Sequence, residues 1–314
     1  MRPFHFLAGV GEVVTGPELA ARAVQAEQLG YYGVVVPDHL IDQLSPVVAM
    51  ATVAAATSTL RVSAFVLNND LRHPAVLAQD LASIDVLSGG RLDVAIGAGW
   101  NKPEYDAIGV PFDPARVRQA RLAESITVLK GLFSGSAFSF NGDHYTITDY
   151  AAQPVPVQRP HPPFLIGGGG RRTLSLAGTE ANIVGLAPRI LRNGGLDAKS
   201  LTLPATREKI GWVREAAGER FASLELNIYP TSVGPVTITN DLRGEARRVV
   251  DALRSQTGTE LTEEDIIDSP HVFIGSLSRL VEKFLQLREE LGISSIVLGQ
   301  IGDLTEVVER LAEA

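Results

Sequence analysis

The sequence contains no cysteine, which excludes disulfides, thiolate metal sites and a cysteine nucleophile in one step. Its six histidines are scattered, and none lies three or four residues from another, as the histidines of a helical zinc site do. We therefore expect no bound metal. A chain without disulfides is also typical of a cytoplasmic protein.

Basic charge and long hydrophobic runs are scarce as well. Lys and Arg number 28 against 36 Asp and Glu, which gives a formal net charge of −8 at pH 7. Such a surface repels the phosphates of nucleic acids and of anionic membranes, so neither is an expected partner. No stretch approaches about 18 uninterrupted apolar residues, and the N-terminus lacks the pattern of a signal peptide. These absences also predict a cytoplasmic location.

What the sequence does contain is a repeated alternation of strand-like and helix-like segments along its 314 residues. The first predicted strands are continuously apolar rather than alternating, as in strands that are buried on both faces of a parallel sheet. Helical patterns of 3.6-residue spacing separate these strands, at a repeat of about 30 residues. The four strands are predicted at Phe4–Ala8, Gly33–Val36, Arg61–Leu67 and Arg91–Ile96.

The second half continues the alternation and brings the number of predicted strands to eight, which favours a closed barrel over an open sheet. We therefore predict an α/β fold, a (β/α)8 TIM barrel formed by residues 1–314 as a single domain. Insertions at about 101–160 and 188–292 are expected to hold helices and a hairpin at Ala137–Ile147 that turns at Asn141-Gly142. The later strands are predicted at Phe164–Gly167, Asn182–Leu186, Ser223–Tyr229 and Ser294–Leu298.

A run of four glycines follows the fifth predicted strand and precedes a helix. Barrel active sites lie at the carboxyl ends of the strands, where this run is placed. Glycines let the backbone approach a ligand closely, and free N–H groups at a helix N-terminus attract an anion. We favour a phosphate grip for a cofactor, with an arginine adding a charge-assisted bond. The alternative is a turn that needs positive φ angles. The residues are Gly167, Gly168, Gly169, Gly170 and Arg171.

Other polar and aromatic residues follow the predicted strands at the same rim. His39 stands beside Asp38 and can donate a proton near neutral pH, or it simply packs against the barrel top. Trp100 can stack on a planar ring or wall a pocket, and the alternative is an indole in the core or in an interface. Asn69 and Asn101 can hydrogen-bond a ring system or serve as turn residues. Acids near this rim, each equally an ordinary surface carboxylate, are Glu12 and Glu104.

At these residues the sequence resembles the luciferase-like flavin monooxygenase superfamily, and within it the actinobacterial branch that uses the deazaflavin coenzyme F-420. The resemblance spans nearly the whole chain in order, and the LSGGRL run before a strand ending in Gly-x-Gly-Trp is the most specific part. The segments that carry it are Val36–His39, Leu67–Pro74, Leu81–Tyr105, Pro163–Gly178 and Gly292–Gly299.

The resemblance implies a homodimeric barrel that holds coenzyme F-420 at the carboxyl ends of its strands. It also implies that Asp38 and His39 match the pair where such enzymes place an active-site acid, and that Glu12 matches a glutamate of their catalytic region. A non-prolyl cis peptide in the third strand is expected at Phe65–Val66, with Val66 behind the cofactor ring. The family's deazaflavin enzymes transfer hydride to or from a small organic molecule.

The sequence departs from the sugar-phosphate dehydrogenases of this family at Trp100, where they carry a glutamate, and their phosphate-binding Lys/Arg set is not recognisable. Asp38 likewise replaces the first histidine of the pair found in bacterial luciferases. We therefore expect an F-420-dependent oxidoreductase that acts on a small molecule other than glucose 6-phosphate. The alternatives are an FMN-dependent monooxygenase and a flavin-binding barrel without catalysis. A flavin-free lyase using lysine chemistry is disfavoured because no lysine lies at a predicted strand end.

Overall fold

The computed structural model, which describes residues 2–191, 194–231, 236–302 and 304–312, contains the expected eight-stranded parallel barrel. The third barrel strand is formed by two short segments, β3 and β4. The strands are β1 (His5–Gly9), β2 (Gly33–Val36), β3 (Arg61–Ala64), β4 (Leu67–Asn68), β5 (Leu92–Gly97), β6 (Phe138–Asn141), β7 (Thr146–Tyr150), β8 (Phe164–Gly168), β9 (Ile183–Leu186), β10 (Glu225–Ile228), β11 (Thr237–Ile238), β12 (Ile274–Gly275) and β13 (Ile293–Gln300).

The strand order closes on itself. It runs β3-β2-β1-β13-β10-β9-β8-β5, and a pairing of β3 with β5 completes the circle. All the pairings within this order are parallel where the register is defined, for example Gly33 opposite Arg61 and Val94 opposite Phe164. Each of the eight predicted strands is therefore confirmed. Burial explains the continuous apolar runs, as predicted, because all residues of β2 and β5 are buried.

Helices connect the strands, and their ends follow local capping rules. Helix α3 starts with Pro74 in its first turn and ends at Gly89, which adopts φ of 66°. The helices are α1 (Gly16–Gln28), α2 (Pro46–Ala56), α3 (Pro74–Ser88), α4 (Lys102–Ile108), α5 (Ala115–Leu132), α6 (Arg171–Glu180), α7 (Leu203–Ala217), α8 (Leu242–Thr257), α9 (Glu263–Ile267), α10 (Leu277–Leu291) and α11 (Thr305–Leu311). Over the described ranges, no helix has the length and apolar character that crossing a bilayer demands.

Two compact units make up the described chain. Residues 10–27 and 33–166 form one, which we call the first unit; residues 2–9, 28–32 and those from 167 onwards form the second. The first unit contains β2 to β7 and helices α2 to α5. In the second unit, α7 lies between β9 and β10, and α10 directly precedes β13. These two helices belong to the regular alternation of the barrel. The inserted residues are therefore fewer than the predicted range 188–292.

The predicted hairpin is present in the first unit, but its turn is longer than expected. Strands β6 and β7 pair with Asn141 opposite Thr146, which leaves four residues between them instead of a tight turn at Asn141-Gly142. The cause is a carboxylate on α5. Glu124 accepts hydrogen bonds from the backbone N–H groups of residues 143, 144 and 145, and so stabilises a wider loop.

Candidate active site

A histidine and a glutamate meet in the first unit beyond the ends of two barrel strands. His39 is the third residue after β2, and Glu104 lies in the first turn of α4, which follows β5. The Nδ1 atom of His39 is 2.9 Å from the Oε1 atom of Glu104, and their side chains are 27% and 7% exposed. The Asn101 amide donates to the same carboxylate oxygen at 2.5 Å. The imidazole is thus held on one side by a buried acid and keeps part of its surface accessible.

The indole of Trp100 lies against this imidazole. The two ring centroids are 5.6 Å apart and the ring planes stand at 81°, an edge-to-face arrangement. Trp100 is nevertheless 49% exposed, so it is not the core residue of the alternative interpretation. An indole that contacts the imidazole and keeps an open surface fits the predicted pocket wall, which stays a prediction.

Asp38 makes an ion pair instead of contacting His39. Its side chain is 2% exposed, and both carboxylate oxygens face the guanidinium of Arg72, at 2.6 and 3.0 Å. It also accepts the backbone N–H of Asn68 at 2.8 Å. Both oxygens are therefore occupied, and the contacts favour a role in which Asp38 anchors the loop after β4 to the end of β2. None of these contacts supports the predicted catalytic role of Asp38, which stays a prediction.

The break between β3 and β4 contains the expected cis peptide, Phe65–Val66, and confirms that prediction. The glycines after β5 are explained by what lies beside them. A methyl group added to Gly97 would come within 2.8 Å of the Val66 side chain. Gly99 adopts φ of +72°, and a side chain there would collide with the Tyr105 hydroxyl. The Gly-x-Gly motif is therefore required by close packing against the protein itself.

Asn69 presents an unused buried acceptor. The residue is 1% exposed, and its Nδ2 atom donates to the Tyr145 hydroxyl at 3.2 Å. Its Oδ1 atom has no hydrogen-bond partner among the residues that the structure describes. Burial raises the pKa of Tyr145, so its hydroxyl keeps its proton at neutral pH. Both residues line an open pocket of about 360 Å³ in the first unit. An orphaned amide oxygen of this kind suits the predicted hydrogen bond to a ligand.

The surroundings of Glu12 are those of a surface residue and not those of a catalytic one. Its side chain is 61% exposed, and its carboxylate accepts from Arg22 of α1 at 2.9 Å. Exposed carboxylates in such pairs are typical of an ordinary protein surface. The catalytic role of Glu12 rests on the resemblance alone and stays a prediction.

The four glycines lie in the second unit, at the end of β8 and before α6. None of them has a positive φ, so the turn that would need one, our alternative interpretation, is wrong. Close packing explains two of them: a side chain on Gly168 would come within 2.7 Å of Thr173, and one on Gly169 would meet the backbone at Pro188. Gly170 has nothing within 4 Å of an added methyl group. The phosphate grip stays a prediction for Gly167, Gly168, Gly169 and Gly170.

The start of α6 has the form that an anion site requires, but its arginine is engaged elsewhere. Gly170 precedes the helix and supplies no side-chain cap to its first N–H groups. Arg171 directs its guanidinium to Glu215 of α7 at 2.8 Å, and both side chains are more than half exposed. The backbone amides of α6 are therefore better candidates for holding a phosphate than the Arg171 side chain.

Two buried lysines of the second unit were not anticipated from the sequence. Lys209 of α7 donates to the carbonyls of Ala187 and Ser200 at 2.7 and 2.8 Å. Lys283 of α10 donates to the carbonyls of Ile267 and Val272 at 2.8 and 2.7 Å. Burial lowers the pKa of Lys209 to about 8 and that of Lys283 to about 7.

Lys209 belongs to α7, yet its ammonium contacts the residue directly after β9, Ala187, a contact that the sequence did not predict. The signal was present in the helix pattern. Lys209 precedes Ile210 and Val213 on the buried stripe of α7, and Lys283 takes the matching place beside Phe284 in α10. Since each ammonium is held by two carbonyls and nearly fully buried, both lysines fix loops rather than offer a nucleophile.

Each unit by itself has a feature that suits part of a flavin-type group. In the first unit, the Asn69 Oδ1 atom and the open face of Trp100 suit a planar ring with hydrogen-bond donors. In the second unit, the uncapped start of α6 beside an open Gly170 suits a phosphate.

The fold defines the class: the chain is a (β/α)8 barrel whose candidate catalytic groups follow the carboxyl ends of the strands. A family model supplies the narrower assignment. The chain belongs to the luciferase-like monooxygenase family, whose model matches residues 3–314. The superfamily prediction is confirmed, and with it an oxidoreductase scaffold.

Similar proteins include users of two cofactors. An alignment that covers 67% of this chain is 34% identical to an F420-dependent glucose-6-phosphate dehydrogenase of Kineococcus radiotolerans. A shorter stretch of 123 residues, 39% of this chain, is 42% identical to an FMNH2-dependent dimethylsulfone monooxygenase of Pseudomonas putida. The matches span 62% and 34% of the two relatives' own lengths.

Solved structures share the whole fold at low sequence identity. The coenzyme F420-dependent tetrahydromethanopterin reductase of Methanopyrus kandleri has a TM-score of 0.78 at 18% identity, with 99% of this chain and 98% of that one covered. An F420-dependent secondary alcohol dehydrogenase has a TM-score of 0.72 at 18% identity, with 99% and 98% covered. At this identity the likeness shows the barrel alone.

Proposed function

We propose that the protein is a coenzyme F-420-dependent oxidoreductase that moves hydride between the deazaflavin and a small organic substrate. The observation that carries the proposal is the half-buried imidazole of His39, held by Glu104 and flanked by Trp100 beyond the end of β2. The choice of cofactor is supported by the F420-dependent relative from Kineococcus, which is matched over 67% of this chain.

The chain's own residues handle the proton that accompanies the hydride. When bound, a deazaflavin supplies or accepts the hydride, and the protein must protonate or deprotonate the substrate oxygen. Because Nδ1 of His39 faces Glu104, the Nε2 atom is the ring nitrogen that exchanges this proton. Trp100 shields one side of the imidazole from water, and the unpaired Asn69 Oδ1 atom would offer a hydrogen-bond acceptor to the cofactor ring.

The substrate is proposed to be an uncharged molecule rather than a sugar phosphate. In the first unit, two guanidiniums near the strand ends are matched with carboxylates, and a third, Arg118, donates to the carbonyls of Ala98 and Gly99 after β5. Arg72 is paired with Asp38, and Arg121 is paired with Asp70 at 2.8 Å and with Asp113. Cations neutralised in this way have little left to offer a substrate phosphate.

An FMN-dependent monooxygenase is the second candidate, since the Pseudomonas relative uses reduced FMN and is the more identical of the two over its matched stretch. Incubating the purified protein with F-420 or FMN, then removing free cofactor by gel filtration, separates the candidates. We expect the deazaflavin absorbance band to stay with the protein and the flavin band to be lost. Tight retention of FMN with loss of F-420 would favour the monooxygenase.

The role of His39 is tested by turnover of F-420 with a panel of alcohols and carbonyl compounds. His39→Ala should lower kcat by about 10²- to 10⁴-fold, the usual contribution of a general acid or base. His144→Ala, in the loop between β6 and β7, is the matched control and should retain activity. Unchanged turnover in His39→Ala would remove this histidine from proton transfer.

The homodimer is also a proposal. Helices α2 and α3 pack together in the first unit, yet Val48, Val76 and Leu87 on them are 61%, 58% and 72% exposed. Exposed apolar side chains on two neighbouring helices give another chain apolar surface to cover. Light scattering after gel filtration should give twice the mass of the 33.5 kDa chain, and a monomer would contradict the proposal.

A further inference from the structure

The acid beside His39 has a hydrogen-bond arrangement that constrains the imidazole. Glu104 is buried in the first turn of α4, where its Oε1 atom receives the amide N–H of Asn101 at 2.5 Å. The same oxygen lies 2.9 Å from Nδ1 of His39. Asn101 immediately precedes α4, so the helix start fixes both the amide and the acid in one rigid segment.

The chemistry of these groups selects one form of the histidine. An ionised carboxylate has only acceptor sites, and the Asn101 amide already uses Oε1 as an acceptor. A neutral imidazole carries its proton on one nitrogen alone. The short contact is favourable when Nδ1 carries that proton and donates it, which leaves Nε2 as the unprotonated nitrogen. Trp100 restricts rotation of the ring out of this position, because it lies edge-to-face against it.

We propose that Glu104 and Asn101 are positioning residues for His39. Asn101 orients the carboxylate, and the carboxylate holds the neutral imidazole with its proton on Nδ1, so that Nε2 exchanges the proton with substrate. The catalytic consequence rests on the proposed function, whereas the choice of tautomer is a property of the protein alone. The arrangement is that of a base oriented by a third group, as in nucleophile–base–acid systems.

The first experiment measures the tautomer without any cofactor. Protein labelled with ¹⁵N at its histidines gives long-range ¹H–¹⁵N spectra, in which loss of one spin system in His39→Gln assigns His39. At a pH where this ring is neutral, we expect the Nδ1–H form in the wild-type protein. A wild-type ring in the Nε2–H form would overturn the proposal, whatever the cofactor proves to be.

Variants extend the test. Glu104→Ala removes the acceptor, so the ring should shift toward the Nε2–H form, and an unchanged spectrum would contradict the assignment. Glu104→Gln keeps the size of the side chain if the alanine variant does not fold, and it should weaken the preference for Nδ1–H. The matched control is Asp106→Ala, whose carboxylate lies on the same helix, is 58% exposed and pairs with Lys102. This control should leave the His39 signals in place.

Kinetics separate a positioning role from a merely structural one. With F-420 and an accepted substrate, Glu104→Gln should lower kcat about 10- to 100-fold, as loss of an orienting partner commonly does. KM should change little because substrate contacts are retained, and Asn101→Ala should have a smaller effect on kcat. A loss confined to KM would contradict positioning. Absence of all turnover in the wild type, together with the Nδ1–H form, would reject the proposed function and leave the tautomer assignment standing.

Discussion

Each of the two units contains a pair of buried charged sites, and the two pairs are stabilised in different ways. In the first unit, carboxylates near the strand ends face guanidiniums, as in the pairs of Asp38 with Arg72 and Asp70 with Arg121. In the second unit, Lys209 and Lys283 are buried with backbone carbonyls as their hydrogen-bond partners. Their nearest charged groups include Asp197, Arg189 and Glu208 around Lys209, and Arg279 and Asp268 around Lys283.

This difference determines how each region responds to a lost partner and to pH. A buried ion pair is neutral as a unit, so removing one member leaves an uncompensated charge. A lysine among carbonyls needs no counter-charge, since a neutral amine still donates two hydrogen bonds. The first unit should therefore be sensitive to substitution, and the second to the protonation state of its buried groups.

The largest expected effect follows from breaking the Asp38 pair. Asp38→Ala leaves the Arg72 guanidinium without its acid and should lower the free energy of unfolding by about 3 kcal/mol or more. Urea unfolding monitored by circular dichroism measures this change. Asp106→Ala, which breaks a solvent-exposed pair with Lys102, should cost less than about 1 kcal/mol. Equal effects of the two substitutions would remove the distinction between buried and exposed pairs.

A smaller effect is expected for Lys283, and it depends on pH. Its pKa is lowered by burial to about 7 in the folded protein, whereas an unfolded lysine titrates near about 10.4. Between these values the unfolded chain binds more protons, so the contribution of Lys283 to stability rises with pH, by at most about 1.4 kcal/mol per pH unit. Lys283→Met should therefore destabilise the protein more at high than at neutral pH in urea unfolding. A pH-independent difference would contradict the lowered pKa.

His271 tests the pH sensitivity of the second unit under acidic conditions. It is fully buried, its Nδ1 atom lies 3.1 Å from the Tyr229 carbonyl, and burial lowers its pKa to about 3. An unfolded histidine binds its proton near about pH 6.5, so stability is lost as the pH falls below that value. When the pH is lowered from neutrality to mildly acidic conditions, this group should reduce the free energy of unfolding of the wild type by about 1–2 kcal/mol. His271→Asn should lose less, as measured by thermal unfolding across the same range.

The smallest effect is expected for Glu12. Its exposed pair with Arg22 should contribute at most about 0.5 kcal/mol, so Glu12→Ala should unfold almost as the wild type does. F-420 turnover by this variant tests the catalytic role that the resemblance implies for Glu12. An ordinary surface carboxylate would leave kcat within about twofold of the wild type, whereas a loss comparable to that of His39→Ala would support the catalytic role.

Several features of this protein were determined by local sequence. Several strands, β2 among them, are continuously apolar segments, and helices such as α3 and α7 carry their own caps, so the barrel was predictable from the repeated pattern. The positions of His39, Trp100 and the four glycines at strand ends followed from that barrel, because parallel strands place their carboxyl ends on one rim. The cis bond at Phe65–Val66 followed from resemblance to a family and not from local propensity.

The partners of these residues were decided only by the tertiary structure. Glu104 stands 65 positions from His39, and Arg72 stands 34 from Asp38, separations that no periodicity encodes. Lys209 and Lys283 lie on helix stripes that are otherwise apolar, and the carbonyls that accept their hydrogen bonds come from other segments of the chain. Strand and helix patterns report which face of an element is buried, because burial acts on each residue separately. Which polar groups meet there depends on how the loops between elements close, and that is settled only when the whole chain packs.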